Sequence, residues 1–305
     1  MSPRFGLLLP SREALLWGGA DAEVVLGAAR HAEDAGFDSA WVGDSLLARP
    51  RFEPLTLLAA LSAATPRLEL GTAVLLPLLR HPLTLAHIGA TLDRLAPGRI
   101  ILGVGVGGDV PGTHAELAAV GVASTRRVAA LLDEVERCRR LWRGETEEVE
   151  LLPRPLSPAG PRLWLGGNGP RMLRLAGRLF DGWMPFTPTP NAYAAAHAVV
   201  VEEAERVGRD PRAIETSAYL TVAVDDRPSV AAEQLDRYML GYYGVPAAVM
   251  AGVQACHTGT VASAAEWVAT YAAAGARHLI LRMGTPELDT HRDVAAALLS
   301  ALRSA

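Results

Sequence analysis

Eight short apolar segments alternate with longer amphipathic segments, and this alternation constrains the fold more than any other feature of the sequence. The apolar segments are rich in Val, Ile and Leu and lie at 5–9, 39–43, 67–76, 99–106, 162–166, 182–186, 216–224 and 278–283. The segments between them predict helices at 22–35, 54–64, 83–95, 126–142, 169–180, 191–207, 261–274 and 289–303. Eight strands alternating with eight helices in 305 residues predict a parallel (β/α)8 TIM barrel. An open doubly wound sheet is the alternative, because a strand count does not establish closure.

Three connections are too long for simple loops, and they lie at 107–125, 144–161 and 225–260. The first follows the fourth strand and the last, which contains a helical pattern, follows the seventh. Because a barrel builds its active site at the carboxyl ends of its strands, we expect these two insertions to form a substrate pocket. The Pro-rich part of the middle connection, 153–161, predicts a surface excursion. We expect residues 1–305 to form a single domain.

The composition is that of an ordinary globular protein, with 50% apolar residues and a net charge of −4. All 29 basic residues are arginine, and they form no basic block that would indicate nucleic-acid binding. Cys138 and Cys256 lack metal-ligand spacing, so we expect no metal site and a reducing cytoplasm. The sequence has neither a signal-peptide pattern nor an apolar run of 18 residues, and we expect no membrane association.

Candidate functional residues follow the ends of the predicted strands. Asp44 closes the second strand in "GFDSAWVGDSLL", where its carboxylate could face a pocket or could cap the next segment. The fourth strand ends in the glycine-rich "GVGVGGD", which runs into a loop and so is not a dinucleotide fingerprint. The third strand has only small or apolar residues at its inner end, which would let a flat ligand approach, namely Gly71, Thr72, Ala73 and Val74.

The fifth strand leads directly into "GGNGPRMLRLAG", which predicts an anion site. Glycines precede a helix whose first turn begins with Pro170, so free backbone amides converge on one point. Arg171 and Arg174 could each add a positive charge beside a bound phosphate. The alternative is a flexible glycine-rich turn. Arg282, near the end of the eighth strand, could contact a phosphate or pair with an acid.

Three blocks of the sequence together resemble the bacterial luciferase-like superfamily of flavin- and deazaflavin-dependent oxidoreductases. They are "GFDSAWVGDSLL", "LELGTAVLLPLLRHPLTLAHIGATLDRLAPGRIILGVGVGGD" and "PRLWLGGNGPRMLRLAGRLFDGWMP", in the order and spacing of the family. The resemblance covers residues 1–186 well and the remainder loosely. It implies a TIM-barrel oxidoreductase that uses FMN or coenzyme F420, a 5-deazaflavin, acts on a small-molecule substrate and forms a homodimer.

The resemblance also assigns roles to individual residues. Asp44 and Ser45 would lie at the edge of the cofactor ring as the catalytic pair, and a bulge behind the ring would carry a cis peptide at Ala73–Val74. The residues that would bind the cofactor are Thr72, Ala73, Val74, Val104, Gly105, Val106, Gly107, Gly166, Gly167, Asn168, Gly169 and Arg174.

Two departures from the family pattern bear on the chemistry. Many relatives carry a histidine where this chain has Ser45, so a proton would have to come from Asp44, Asp109, His114, the substrate or water. The sugar-phosphate dehydrogenases of the family carry a glutamate after the fourth-strand glycines, where this chain has Gly108, and the sequence disfavours that activity. His257, in the last insertion, is expected to be a packing or solvated residue.

The resemblance implies hydride transfer between the cofactor and an activated C=C, C=N or C=O bond. The alternatives are monooxygenation by reduced FMN and O₂, or a catalytically silent flavin-binding paralogue. A phosphosugar isomerase or a metal-dependent hydrolase on the same fold is disfavoured, because the chain has no lysine and no strand ends in a His-x-His pair.

Overall fold

The computed structural model describes residues 2–146 and 149–304, and its central feature is a closed parallel barrel. Strand β1 pairs with β2 on one side and with β9 on the other, and β7 pairs with both β6 and β9, so that eight strands form a ring. The predicted (β/α)8 TIM barrel is therefore confirmed, and the open sheet is excluded. The nine strands are β1 Arg4–Leu8, β2 Ser39–Val42, β3 Glu69–Leu75, β4 Ile100–Val104, β5 Arg162–Gly166, β6 Gly182–Met184, β7 Glu215–Val224, β8 Ala255–Gly259 and β9 His278–Met283.

Strand β8 is the element that the sequence pattern missed. It lies in the insertion after β7 and pairs in parallel with the second half of that strand, from Leu220↔Ala255 to Val224↔Gly259. Only Glu215 and Thr216 of β7 pair with β6, and the centre of β7 pairs with β9, so β8 extends the sheet outside the ring. Its residues "ACHTG" are too polar to stand out as a buried strand.

All eight predicted helices are present, each within one residue of its expected bounds. Proline occupies the first turn of many of them, because its fixed φ suits a helix start and the missing amide would have no intrahelical acceptor there. The helices are α1 Glu13–Leu16, α2 Ala22–Ala35, α3 Pro54–Ala64, α4 Pro82–Leu95, α5 Pro111–Ala119, α6 Arg127–Arg143, α7 Pro170–Leu179, α8 Pro190–Arg206, α9 Pro228–Tyr243, α10 Ala247–Met250, α11 Val261–Ala273 and α12 Leu288–Ser304.

The barrel interior is filled by two tryptophans, and glycines on adjacent strands make room for them. The Trp41 and Trp164 rings lie 5.0 Å apart, and both side chains are fully buried. A Cβ on Gly71 would lie 2.3 Å from the Trp41 ring, and a Cβ on Gly182 would lie 2.5 Å from Trp164. The expectation that Gly71 leaves space for a ligand is therefore wrong, because Trp41 fills that space.

The insertions after β4 and β7 contain α5 and the α9–α10–β8 segment, as expected from their length. The described part of the connection before β5 passes over the outside of the barrel, where the Ser157 amide donates to the Asp93 carboxylate. Most side chains of 153–161 are exposed, which confirms the predicted surface excursion; residues 147 and 148 of this connection lie outside the described residues. Within the described ranges, no helix has the length and apolar character needed to cross a membrane.

Glu134 on α6 is an acid in an apolar setting between the helix layer and the barrel. The residue is buried, and it lines a small void together with Leu75, Leu102 and Trp142. Its Oε1 atom has no hydrogen-bond partner among the described residues. Burial raises the pKa of Glu134 to about 7, against a smaller opposing effect of Arg137.

We predict that Glu134→Gln increases stability at high pH. The pKa of Glu134 is raised in the folded state. Between about pH 4.5 and 7, Glu134 is therefore protonated in the native protein and ionised in the unfolded chain. Wild-type stability therefore falls as the pH rises through this window, and the amide removes that contribution. Urea unfolding at pH 5 and pH 8 should show the variant gaining about 1–3 kcal/mol relative to wild type at the higher pH.

Glu136→Gln on the same helix is the matched control, because Glu136 is exposed and pairs with Arg143 at the surface. Its difference from wild type should stay within about 0.5 kcal/mol at both pH values. A Glu134→Gln difference that does not change with pH would contradict the buried-acid interpretation.

Candidate active site

A cavity of about 220 Å³ opens at the carboxyl ends of β2, β3 and β4, where the sequence predicts the pocket. Both expected insertions contribute to its wall, the first through Gly107 and Glu116 and the second through Tyr242 and Tyr243. The other lining residues are Asp44, Ser45, Ala48, Arg49, Arg51, Ala73, Val74, Leu76, Gly108, Thr113, Phe186 and Tyr219. The prediction that these insertions form pocket walls is confirmed.

The floor of the cavity is a bulge at the end of β3. The β3–β4 register shifts between Thr72 and Leu75, and the Ala73–Val74 peptide is cis, as the resemblance implied. The Val74 side chain extends across β4 to β5: a Cβ on Gly105 would lie 2.7 Å from it, and a Cβ on Gly166 would lie 2.8 Å from it. We call Ala73 and Val74, which both line the cavity, the platform.

Two predicted cofactor contacts lie beneath or behind the platform. Thr72 is fully buried, and its hydroxyl donates to the Gly103 carbonyl at 2.9 Å. Val104 is 1% exposed, and its side chain belongs to the core between barrel and helices. Val74 fills the space that side chains at Gly105 and Gly166 would occupy, so a ligand on the platform would contact Val74 rather than side chains at these two positions.

Asp44 lines the cavity, but its carboxylate is fully engaged by the chain that follows β3. Arg80 donates to its two oxygens at 2.6 and 3.0 Å, and the Leu76 amide donates to Oδ2 at 2.9 Å. The side chain is 2% exposed. The alternative that Asp44 caps the next segment is excluded, because its backbone donor lies on the neighbouring connection. The carboxylate fixes the end of β2 to the segment that leaves the platform.

Ser45 belongs to a second group of hydrogen bonds, which ties the segment after β2 to α5 and which the sequence did not predict. Its hydroxyl donates to Oε1 of Glu116 on α5 at 2.6 Å, and the amides of Leu47 and Ala48 donate to the same oxygen at 2.6 and 2.8 Å. Burial opposes ionisation, but these hydrogen bonds outweigh it and lower the pKa of Glu116 below its ordinary value. The only signal in the sequence was the position of Glu116 within the insertion after β4.

The amino terminus of α7 has the features that an anion site requires. Gly169 is its N-cap and offers no side-chain acceptor, so the first-turn amides have no cap. Two hydrogen bonds hold the loop before it in place. The Phe186 amide donates to Asn168 Oδ1 at 2.8 Å, and the Trp183 indole N–H donates to the Gly167 carbonyl at 3.0 Å. Arg174 is exposed one turn into the helix, where its charge is available to a ligand.

The glycine-rich loop after β4 is held by Arg127, at the start of α6. Its Nη1 donates to the carbonyls of Val106 and Gly107, each at 3.2 Å, and to that of Gly108 at 3.0 Å. Asp109 is exposed at the edge of this loop, where it pairs with His114 at 2.8 Å. These two proposed proton donors therefore contact one another at the rim.

Arg282 takes neither of the roles that its position suggested. Its side chain is fully buried, its Nε donates to the Thr221 hydroxyl at 3.0 Å and its Nη1 to the Tyr243 hydroxyl at 2.7 Å. Among the described residues no acid lies within ion-pair distance of it. His257 stacks on Trp267 with 5.2 Å between ring centroids, as expected of a packing histidine.

Comparisons with known proteins agree with this geometry. A family model described as luciferase-like monooxygenase matches residues 3–278. A phthiodiolone/phenolphthiodiolone dimycocerosates ketoreductase of Mycobacterium kansasii is 35% identical, with the match covering 60% of this chain and 58% of that protein. An F420-dependent glucose-6-phosphate dehydrogenase of Nakamurella multipartita is 32% identical, with 64% of this chain and 61% of that protein covered. The chain thus matches less than two thirds of the length of these relatives.

Two solved structures share the fold over nearly the whole chain. An F420-dependent secondary alcohol dehydrogenase in complex with an F420-acetone adduct superposes with a TM-score of 0.80 at 22% identity, covering 99% of this chain and all of that one. A monooxygenase from Streptomyces bottropensis gives a TM-score of 0.79 at 21% identity, covering 97% of this chain and 98% of that one. At these identities the structures establish the fold.

We predict that Arg80→Ala destabilises the protein by about 3 kcal/mol, because it leaves the buried Asp44 carboxylate without its cation. Adding Asp44→Asn should recover at least about 1 kcal/mol, since the neutral amide no longer needs a cation in that position. Urea unfolding of both single variants and of the double variant measures this coupling.

Arg30→Ala is the control, because it removes only the exposed Arg30–Glu23 pair and should cost less than about 0.5 kcal/mol. Strictly additive effects of the Arg80 and Asp44 substitutions would show that the pair does not hold the site together.

Proposed function

This chain belongs to the luciferase-like monooxygenase family, and we propose that it is an oxidoreductase that binds coenzyme F420 or FMN at the carboxyl ends of its strands. The second substrate is a small organic molecule with an activated C=O, C=C or C=N bond. The observation that carries this proposal is the arrangement of the platform and the uncapped amino terminus of α7 at the same end of the barrel.

The residues present fit the proposed cofactor at both ends. The platform is a small apolar surface on which a flat ring can lie, and Gly166 joins it directly to the loop before α7. At that loop, the uncapped first-turn amides after Gly169 suit a phosphate, and we assign Arg174, which is exposed one turn further along α7, as a second contact. A Cβ on Gly169 would meet no atom within 4 Å, so the cradle is open to a ligand.

When bound, the reduced cofactor supplies a hydride, and reduction of the acceptor bond is completed by one proton. On the substrate, the hydride would add to carbon, the π-bond electron pair would move to the second atom, and that atom would take the proton. Asp44 and Glu116 both accept hydrogen bonds as carboxylates, and Asp109 and His114 pair with each other at the rim, so we assign the proton to water or substrate. Asp44 and Ser45 then act as positioning residues that fix the platform and the rim.

Reduction is favoured over monooxygenation by the relatives with the higher identity. The curated relatives at 32–35% identity are named as a ketoreductase and an F420-dependent dehydrogenase. The monooxygenase structure, at 21% identity, supports the fold alone. Because these relatives are matched over only part of their length, the substrate is a proposal. Reduction and monooxygenation differ in whether turnover requires O₂.

We predict that Gly169→Asp abolishes cofactor binding without destabilising the fold. The new carboxylate would cap α7, which is favourable, and would place a negative charge where the phosphate binds. Fluorescence titration of the purified protein with FMN and, separately, with coenzyme F420 measures affinity, and thermal unfolding measures stability. Arg174→Ala should raise the dissociation constant about tenfold or more.

Gly169→Ala is the matched control, because it adds a Cβ at the same position without charge and should retain wild-type affinity. Reduced cofactor is then mixed with carbonyl and enone acceptors with and without O₂. Turnover only with O₂ would support the monooxygenase, and binding without any turnover would support a silent paralogue. Unchanged affinity in Gly169→Asp would remove the loop before α7 from the site.

A further inference from the structure

Three arginines form a group beside the cavity, and among the described residues none of them forms an ion pair with an acid. The arginine cluster, as we define it, consists of Arg12 after β1 and of Arg49 and Arg51 after β2. Arg49 and Arg51 line the cavity, and Arg12 is 7% exposed just behind them. Burial lowers the pKa of Arg12 despite an opposing effect of Tyr242, and the positive charges of Arg51 and Arg49 lower it further.

No carboxylate among the described residues lies within 4 Å of any guanidinium in the cluster. Glu13, a buried acid that follows Arg12 in the sequence, accepts hydrogen bonds from the Tyr238 hydroxyl and the Arg12 amide. The Nε and Nη1 atoms of Arg12 and the Nε of Arg51 are buried without a hydrogen-bond partner in the described chain. Buried cationic donors without partners are costly, so an anion that enters here would be strongly favoured.

The tyrosines around the cluster do not supply the missing negative charge. Burial raises the pKa of Tyr242 and raises that of Tyr219 well above its ordinary value, so both are neutral phenols. Tyr242 contributes its ring face to Arg12, with 4.4 Å from the guanidinium carbon to the ring centroid, and its hydroxyl to Arg51 at 3.1 Å. These contacts position the guanidinium groups. Burial opposes the charge of Arg51, but Tyr242 and Glu13 outweigh it and raise the pKa of this arginine, although neither forms an ion pair with it.

The wall that links the cluster to the platform is aromatic. Phe186 and Tyr219 stack with ring centroids 5.0 Å apart and planes 28° apart, and both line the same cavity as Ala73 and Arg51. Flat surfaces of this kind select flat ligands.

We propose that the arginine cluster binds the carboxylate of a small, planar, unsaturated acid, which is the second substrate. The claim that this acid is the second substrate rests on the proposed function. The claim that the acid binds here rests on the arginine cluster alone. A carboxylate is planar and accepts two parallel hydrogen bonds from a guanidinium group. The rest of the acid would lie against Phe186 and Tyr219, between the cluster and the platform. The anchored acid would thereby present its unsaturated carbon chain to the platform.

The probe is trans-cinnamate, compared by isothermal titration calorimetry with its neutral amide, cinnamamide. We expect cinnamate to bind the wild-type protein and cinnamamide to bind at least about tenfold more weakly. Arg51→Gln should weaken cinnamate binding by about 10- to 100-fold. Arg51→Lys should weaken it less, because lysine keeps the positive charge but lacks the two parallel N–H donors of a guanidinium group. Arg49→Gln, at a partly exposed position, repeats the test should Arg51→Gln fail to fold.

Arg212→Gln is the matched control, because Arg212 is 88% exposed and far from the cavity lining. It should bind cinnamate like wild type. Cofactor affinity is measured separately for every variant, so that failure of the proposed function and failure of the carboxylate site are distinguishable. Cinnamate binding without any cofactor binding would retain the site and overturn the proposed function.

Three results would overturn the carboxylate site. Equal affinity for cinnamate and cinnamamide would show that charge is not recognised. Tighter binding of inorganic phosphate than of cinnamate would assign the cluster to a phosphate ester. An Arg51→Gln loss of cofactor affinity that matches the loss of cinnamate affinity would assign the cluster to the cofactor.

Discussion

The candidate site depends on the packing of Val74 over two glycines. A side chain on Gly105 or Gly166 would collide with it, so the bulge at the end of β3 can lie flat only because β4 and β5 have no Cβ there. The Asp44–Arg80 ion pair and the Leu76 amide then fix the chain that leaves the bulge. Platform, cavity and the loop before α7 all follow from this arrangement of neighbouring strand ends.

Much of this framework could be predicted from sequence because it depends on local pattern. Short Val/Ile/Leu runs between amphipathic segments predicted eight barrel strands and eight helices, and the length of two insertions predicted the pocket walls. The cis peptide at Ala73–Val74 came from the family resemblance and is confirmed. The catalytic roles predicted for Asp44 and Ser45 are untested, and from their hydrogen bonds we propose that both residues position the platform and the rim instead.

What the sequence did not predict depends on pairings between distant positions. Asp44 finds its cation 36 residues away, and Ser45 finds Glu116 71 residues away. Nothing in the local pattern of either carboxylate distinguishes an anchor from a free acid. Strand β8 was missed because it is short and polar, and the arginine cluster was missed because its members meet only when the loops after β1 and β2 converge.

The central claim is that one end of the barrel holds a flat redox cofactor on the platform with its phosphate at α7. A crystal structure of the protein grown with coenzyme F420 or FMN tests this claim most directly. We expect the ring within van der Waals contact of Ala73 and Val74, and the phosphate within hydrogen-bond distance of the first-turn amides of α7. A cofactor bound instead in the cleft lined by His197, Arg212 and Arg277 would contradict the account.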